Sequence, residues 1–282
     1  MVAAASSAAG PSVRADGSIA IDDDSPAQWR EGLQLQLGWQ PVAPGVERAD
    51  LTVHYSNQPW GLRLHVVRID PRQTRFSLAT RTRDSGLRGG WTLRDAPAEA
   101  RVACNAGQFR GGTPWGWQVA DGRERAKPGV GPLSMAFVVD TLGRARLVSA
   151  DSIEAVRTAG DVALAFQSYP ALLRDGLVPR ELLTPGFGVD TQHHDSRLAL
   201  GITPDGRVLI AITRLDAPQA VAALPTGPTT PQMSALMGAL DCRDSVLLDG
   251  GMSSQLRVRG ASGTHEWPGL RAVPLALLVR SR

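Results

Sequence analysis

The sequence predicts an α+β fold: strand-rich mixed sheets with a few helices, in a single domain. Three observations carry that expectation. Apolar and alternating segments are short, about the length of single strands, and are bounded by turn signals. Glycine (30) and proline (20) are abundant enough to break the chain often. Helical spacing is scarce, and neither an internal repeat nor a sharp composition break follows residue 28.

Residues 1–28, rich in Ala, Ser, Gly and Asp, read as a flexible lead, and 29–282 as the folded domain, with order beginning near Trp29. Residues 51–55 and 62–69 alternate apolar and polar side chains, the period of a strand, and 75–80 is a further candidate. Arg101-Val102-Ala103-Cys104 is a strand that runs straight into Asn105-Ala106-Gly107-Gln108-Phe109. Residues 117–122 and 136–140 follow as strands, and 151–158 as a short helix. Residues 198–202 and 208–213 flank Pro204-Asp205-Gly206, a hairpin signal. Residues 231–240 form the strongest helix, with proline in the first turn and apolar residues at helical spacing. This helix leads into a strand that begins at Val246, and residues 273–279 form the final strand.

With 43% apolar and 20% charged residues, the chain has the composition of a soluble globular protein. The net charge is +3, and because Lys127 is the only lysine the positive charge rests on arginine. Arginine's planar fork binds carboxylates and phosphates in a bidentate way. No basic run is interleaved with aromatics, so no nucleic-acid partner is expected. No stretch is long and apolar enough to span a membrane. The small-residue start (Met1-Val2-Ala3-Ala4-Ala5-Ser6-Ser7-Ala8-Ala9-Gly10) resembles the tail of a cleaved secretory signal. The expected location is therefore periplasmic or secreted, with a cytoplasmic protein carrying a disordered tail as the alternative. Cys104 and Cys242 lie in apolar runs and read as buried free thiols. The alternative is a bridge between them, since each directly precedes a segment of chemical interest.

The most informative stretch is Val246-Leu247-Leu248-Asp249-Gly250-Gly251-Met252-Ser253-Ser254. An apolar run ends in a carboxylate. Two glycines then let the backbone approach a ligand and offer its N–H groups, and two hydroxyls follow. That combination suits a sugar or a phosphate, although Asp-Gly between apolar runs is also a plain hairpin signal. Asn105, at a strand end near Gln108, supplies a carbonyl and an amide to sugar hydroxyls; the plainer reading is a turn asparagine. Arg197 follows His193-His194-Asp195-Ser196 and opens a strand, either to clamp a phosphate or as part of a solvated loop. Tyr169 either stacks on a sugar or packs in the core, and Asp175-Gly176 is a turn. The two histidines are adjacent and diverge in extended chain, and no metal-binding His or Cys spacing exists. No cofactor and no metal are expected, although Asp249, Asn105 and waters could together hold a hard divalent cation. A nucleophile elbow, a P-loop and a dinucleotide fingerprint are all missing.

Five segments, taken together and in order, resemble the phosphodiester glycosidase family over roughly residues 40–282. They are Pro44-Gly45-Val46, Cys104-Asn105-Ala106-Gly107-Gln108-Phe109, Leu172-Leu173-Arg174-Asp175-Gly176, Arg197-Leu198-Ala199-Leu200-Gly201 and Leu248-Asp249-Gly250-Gly251-Met252-Ser253-Ser254. Met252 stands where the family usually has a third glycine, Ala106 and Gln108 where glycine and an aromatic are common, and Leu198 where threonine is more usual. The resemblance implies hydrolysis of the bond between a sugar's anomeric carbon and a phosphodiester or phosphate group in a glycan. It casts Asp249, Arg197 and Asn105 as catalytic. Asp249 would activate water or stabilise an oxocarbenium-like transition state, Arg197 would neutralise the phosphate, and Asn105 would orient sugar hydroxyls. Gly250, Gly251, Ser253, Ser254, Gln108, Phe109, His193, His194, Tyr169 and Asp175 are the implied substrate-binding residues. The implied partner is a carbohydrate or sugar phosphate.

Two rival readings stand beside this one. A glycoside hydrolase or transglycosylase acting on a bacterial cell-surface polysaccharide without phosphate needs a second carboxylate, for which Asp175 or Asp195 would serve. A non-catalytic glycan-binding module would stack sugars on Trp60, Trp91, Trp115 or Trp117.

Overall fold

The structure, a computed structural model, describes residues 12–13, 19–21, 37–55, 61–81, 90–184, 186–216 and 224–282. Three sheets and a short ribbon hold the strands of the described residues. The largest runs β1 (Ser12–Val13), β2 (Ile19–Ile21), β4 (Val46–Tyr55), β5 (Gly61–Ile69), β17 (Val208–Leu215), β16 (Leu198–Ile202), β18 (Asp244–Leu247), β15 (Ala171–Leu173), with β3 (Gln40–Ala43) paired to β4. A second runs β11 (Arg123–Ala126), β10 (Gln118–Ala120), β14 (Val162–Ser168), β12 (Met135–Asp140), β13 (Ala145–Ser149). The third runs β20 (Gly263–Trp267), β19 (Leu256–Gly260), β7 (Val102–Asn105), β21 (Leu275–Ser281), β6 (Thr74–Thr80). The ribbon pairs β8 (Phe109–Arg110) with β9 (Thr113–Pro114). Among the described residues the α-helices are α1 (Ile153–Ala159), α2 (Arg180–Leu183) and α3 (Thr230–Ala239).

One face of each sheet meets in a shared core. Along β12, Met135, Phe137 and Val139 point into it, while Ala136 and Val138 point out to Ile153 of α1. Along β21, Leu275, Leu277 and Val279 point in, while Ala276 and Leu278 meet Trp91 and Leu93. Along β17, Val208, Ile210 and Ile212 point in, while Leu209 and Ala211 join the cluster that holds Met233, Leu236 and Met237 of α3. Both faces of these strands are buried, so their sequences are unbroken apolar runs rather than alternating ones. Helix α3 is itself buried nearly all round. Thr229 caps it in a reciprocal box: its hydroxyl accepts from Gln232 N at 3.3 Å, and Gln232 Oε1 accepts from Thr229 N at 2.8 Å.

The fold is the strand-rich single α+β domain the sequence predicts. The two expected helices, at 151–158 and 231–240, are found at Ile153–Ala159 and Thr230–Ala239. Of the N-terminal lead, residues 12–13 and 19–21 are described. Ser12–Val13 and Ile19–Ile21 form short strands within it, and Ile19–Ile21 pair parallel with Val53–Tyr55. The expected onset of order at Trp29 lies outside the described residues. The alternative of a disulfide fails: Cys104 and Cys242 are free, buried and in different core clusters. Burial pushes both thiols far up, so they stay protonated. No helix of the described residues is long and apolar enough to cross a membrane.

Candidate functional site

Strand β18 delivers Asp249. It pairs antiparallel with β16, Ala199 opposite Leu247. The ladder continues past both strands: Leu248 N donates to Leu198 O at 2.8 Å and Gly251 N to Ser196 O at 2.7 Å. That register sets Arg197 across from Asp249, and Asp195 across from Gly251. The third sheet joins at the same point, where Asp249 N donates to Ala106 O at 3.2 Å.

Asn105, the last residue of β7, is fully buried and clamps the turn. Its Nδ2 donates to Asp249 O at 2.9 Å, Ser253 O at 2.7 Å and Asp249 Oδ2 at 3.2 Å. Three acceptors around one atom identify it as the nitrogen. Asn105 Oδ1 is buried with no hydrogen-bond partner among the described residues, a cost of about 1–3 kcal/mol that a donating ligand hydroxyl would relieve. Ser253 Oγ also donates to Asp249 Oδ2, at 2.5 Å. Both bonds fall on Oδ2, and Oδ1 takes neither. Burial pushes the Asp249 carboxyl up to about 6, against the pull of the Ser253 and Asn105 bonds, and the nearby Asp195 charge adds to the rise.

Gly251 takes φ +62°, and a Cβ there would stand 2.7 Å from Asp195 Oδ2. Only glycine lets the turn pass under that carboxylate. Gly251→Ala is expected to cost about 1–2 kcal/mol and to displace Asp195. A urea midpoint equal to that of the parent protein would contradict this.

Asp195 is half-buried. Its Oδ1 accepts from Ser196 N at 2.8 Å, and its Oδ2 lies 3.8 Å from His193 Nε2. Burial raises its carboxyl despite the neighbouring Arg197. Two carboxylates with raised affinity for protons therefore flank the Gly250-Gly251 turn. Arg197 stands beside Asp195 but is tied down: Nε donates to Pro228 O at 3.0 Å and Nη2 to His193 O at 2.5 Å. Burial lowers its pKa, opposed by Asp195 and Asp190. His193 is exposed, its backbone N donating to Asp190 Oδ1 at 3.0 Å, and His194 Nδ1 lies 2.8 Å from Gly227 O.

Tyr169 follows β14 of the second sheet, and Gln108 lies between β7 and the ribbon. Gln108 Nε2 donates to Tyr169 O at 3.3 Å, and Pro170 O accepts from Leu247 N at 3.0 Å. Five predicted contacts are not brought in. Phe109 packs against the cluster of Trp91, Leu93 and Ala103. Ser254 is 1% exposed, with its hydroxyl donated to Ser196 O, so its place is structural. Asp175 belongs to the far end of β18, where its N donates to Asp244 Oδ1 at 2.9 Å. Asp244 is five residues from Asp249, about 17 Å along an extended strand. Trp91 and Trp117, offered for stacking, are each 1% exposed, and Trp60 lies outside the described residues. Among the described residues, no group of three or more His, Cys, Asp or Glu is placed to hold a metal ion.

Sequence reasoning misses one residue that shapes the site. Arg214 of β17 is 4% exposed and forms no ion pair among the described residues. Nη1 donates to Ser196 Oγ at 2.7 Å and Thr213 O at 3.0 Å; Nη2 donates to the carbonyls of Ser254, Trp267 and Pro268 at 2.6, 3.2 and 3.4 Å. It ties the Asp195-Ser196 strand entry to the end of the Asp249 turn. Burial brings its pKa down to about 10, which leaves it charged at neutral pH.

The model of the phosphodiester glycosidase family (NAGPA) matches residues 98–280. The catalytic domain of zebrafish N-acetylglucosamine-1-phosphodiester alpha-N-acetylglucosaminidase, auto-inhibited by its pro-peptide, shares the fold with a TM-score of 0.62 at 17% identity, covering 86% of each chain. A hypothetical protein from Synechocystis gives a TM-score of 0.56 at 14% identity over 86% of this chain and 64% of that one. A candidate exported protein from Burkholderia pseudomallei gives 0.53 at 16% identity over 80% and 75%. No curated protein sequence matches the chain.

Proposed function

The chain belongs to the phosphodiester glycosidase family, and on that premise we propose that it hydrolyses the bond between a sugar's anomeric carbon and a phosphate or phosphodiester group. The observation that carries this reading is Asp249. Its carboxyl is pushed up to about 6, it is clamped through Oδ2 alone, and it stands two residues past the Ala199–Leu247 pair, as Arg197 does on the facing chain.

In this reading, water adds to the anomeric carbon as the C–O bond breaks, and the bonding pair leaves with the phosphate. Phosphate is a weakly basic leaving group, so acid help counts for little and charge neutralisation for more. Asp249 Oδ1 takes the proton of the attacking water or faces the developing oxocarbenium ion. Arg197 Nη1, the nitrogen not used on Pro228 and His193, faces the departing charge. Asn105 Oδ1 and Gln108 hold sugar hydroxyls. A base with a pKa of about 6 gives kcat/KM that falls about tenfold per unit as pH drops below 6 and is level above it. A pH–rate profile flat between 4 and 7 would contradict this role.

Asp195 favours a second reading, since two neighbouring carboxylates also suit a plain glycoside hydrolase acting on a polysaccharide without phosphate. A substrate panel separates the two. N-acetylglucosamine 1-phosphodiesters are tried first, because the zebrafish protein's name specifies them. Cleavage of phosphodiester-linked but not plain glycosides supports the first reading; equal kcat/KM on both supports the second. Binding without turnover on either would leave a glycan-binding module. We also infer export from the cytoplasm, supported by the Burkholderia relative; recovery of the native protein in the cytoplasmic fraction would contradict it.

A further inference from the structure

We propose that Arg110 selects an anionic leaving group, presented at the rim of the site by the β8–β9 ribbon. The inference rests on the hydrolase reading above and adds the determinant of its aglycone. The ribbon leaves the site directly, since β7 ends at Asn105 and β8 starts at Phe109. Gly111 and Gly112, at φ +57° and +84°, close its turn. Trp115 N donates to Gln108 O at 2.8 Å, and Gln108 in turn holds Tyr169 O. Pro170, next to Tyr169, accepts from Leu247, two residues before Asp249. Arg110, Trp115 and Tyr169 are thereby set at the Asp249 end of β18.

These three side chains make one platform. The Arg110 guanidinium carbon lies 3.8 Å from the Trp115 ring centroid, and Trp115 meets Tyr169 edge to face with centroids 6.1 Å apart. Stacking holds the plane of the guanidinium and leaves its N–H edge free to form a two-pronged contact with phosphate oxygens. Arg110 is exposed, and among the described residues it forms no ion pair. Arg197 differs, with two of its three nitrogens already donated to backbone carbonyls. A cavity of about 260 Å³ begins at Gly131, which packs against Trp115, and at Pro170, and runs on past Asp151, Arg174 and Glu181. A neutral aglycone gains nothing from the guanidinium, so the effect of Arg110 is confined to charged ligands.

The test is calorimetric binding to Asp249→Asn protein, which holds ligand without turning it over. The probes are N-acetylglucosamine 1-(methyl phosphate) and the neutral methyl N-acetylglucosaminide. Adding Arg110→Gln is expected to weaken the charged ligand by about 10- to 100-fold, with the neutral one within about twofold and Arg110→Lys intermediate. Unchanged binding of the charged ligand, equal weakening of both, or no binding of either before Arg110 is changed would each overturn the proposal. Wild-type protein that binds the charged ligand through Arg110 yet never hydrolyses it would sink the hydrolase reading and leave the Arg110 assignment standing.

Discussion

Asp249→Asn is expected to lower kcat by about 10²- to 10⁴-fold while making the folded protein more stable at neutral pH. The two effects have one cause. A carboxyl raised from 3.8 to about 6 by burial is disfavoured as an anion in the fold, at a cost on the order of 3 kcal/mol. Because the folded pKa lies above the unfolded one, this group's contribution is most favourable below about pH 4 and is lost as pH rises through 6. The stability gain from Asn therefore grows between those values and levels off above 6, at about 1–3 kcal/mol. Asparagine keeps the shape, and its Oδ1 can accept the bonds from Ser253 Oγ and Asn105 Nδ2 that Asp249 Oδ2 accepts now. Chemical denaturation at pH 4 and pH 7.5 checks this. A variant less stable than wild type at pH 7.5, or one with wild-type turnover, would contradict the assignment.

Arg214→Met should destabilise the protein by about 3 kcal/mol, the largest loss expected from one substitution near the site. Methionine fills similar space but donates nothing. Ser196 Oγ and the carbonyls of Thr213 and Ser254 lose a donor in the interior, each at about 1–3 kcal/mol, partly offset because a cation is no longer buried. Since Ser254 closes the Asp249 turn and Ser196 follows Asp195, kcat should fall as well, although Arg214 itself is a positioning residue. Arg214→Lys recovers only part of the loss, because a point charge cannot span the same acceptors. A change in unfolding free energy below about 0.5 kcal/mol would show that the network is dispensable.

The strands that read well from sequence are those with a strong local period or a long apolar run. In β5, Leu62, Leu64 and Val66 share one face, and the period of two is visible in the letters. In β17 and β12, both faces are buried and the run is almost wholly apolar. β19 does not read this way. Its Leu256-Arg257-Val258-Arg259 looks like a polar segment, yet Arg257 is 4% exposed because its guanidinium donates to the carbonyls of Leu93, Ala96 and Pro97. Those partners lie about 160 residues away, beyond any local window. Arg214 is hidden for the same reason.

The catalytic candidates behave alike. Asp249, Asn105 and Arg197 sit at the ends of legible strands; Asn105 Nδ2 bonds Asp249 directly, and Arg197 opens β16, the strand paired with β18. Asp175 is legible only as a turn residue, and antiparallel pairing of β15 with β18 carries it to the opposite end. Phe109, four residues beyond Asn105, turns outward to the Trp91 cluster once the ribbon begins. Asp195 is the reverse case: its residue type was visible, but its closeness to Gly251 follows only from the β16–β18 register.

Hydrolysis of an N-acetylglucosamine 1-phosphodiester in ¹⁸O-labelled water, by wild-type and Asp249→Asn protein, tests the central claim most directly. Cleavage at the anomeric carbon places the label in the sugar's anomeric hydroxyl and leaves the phosphate unlabelled, and this product nearly vanishes with Asp249→Asn. Label in the phosphate would mean that the P–O bond breaks instead. Label in the sugar at an undiminished rate in a folded Asp249→Asn protein would remove Asp249 from the chemistry.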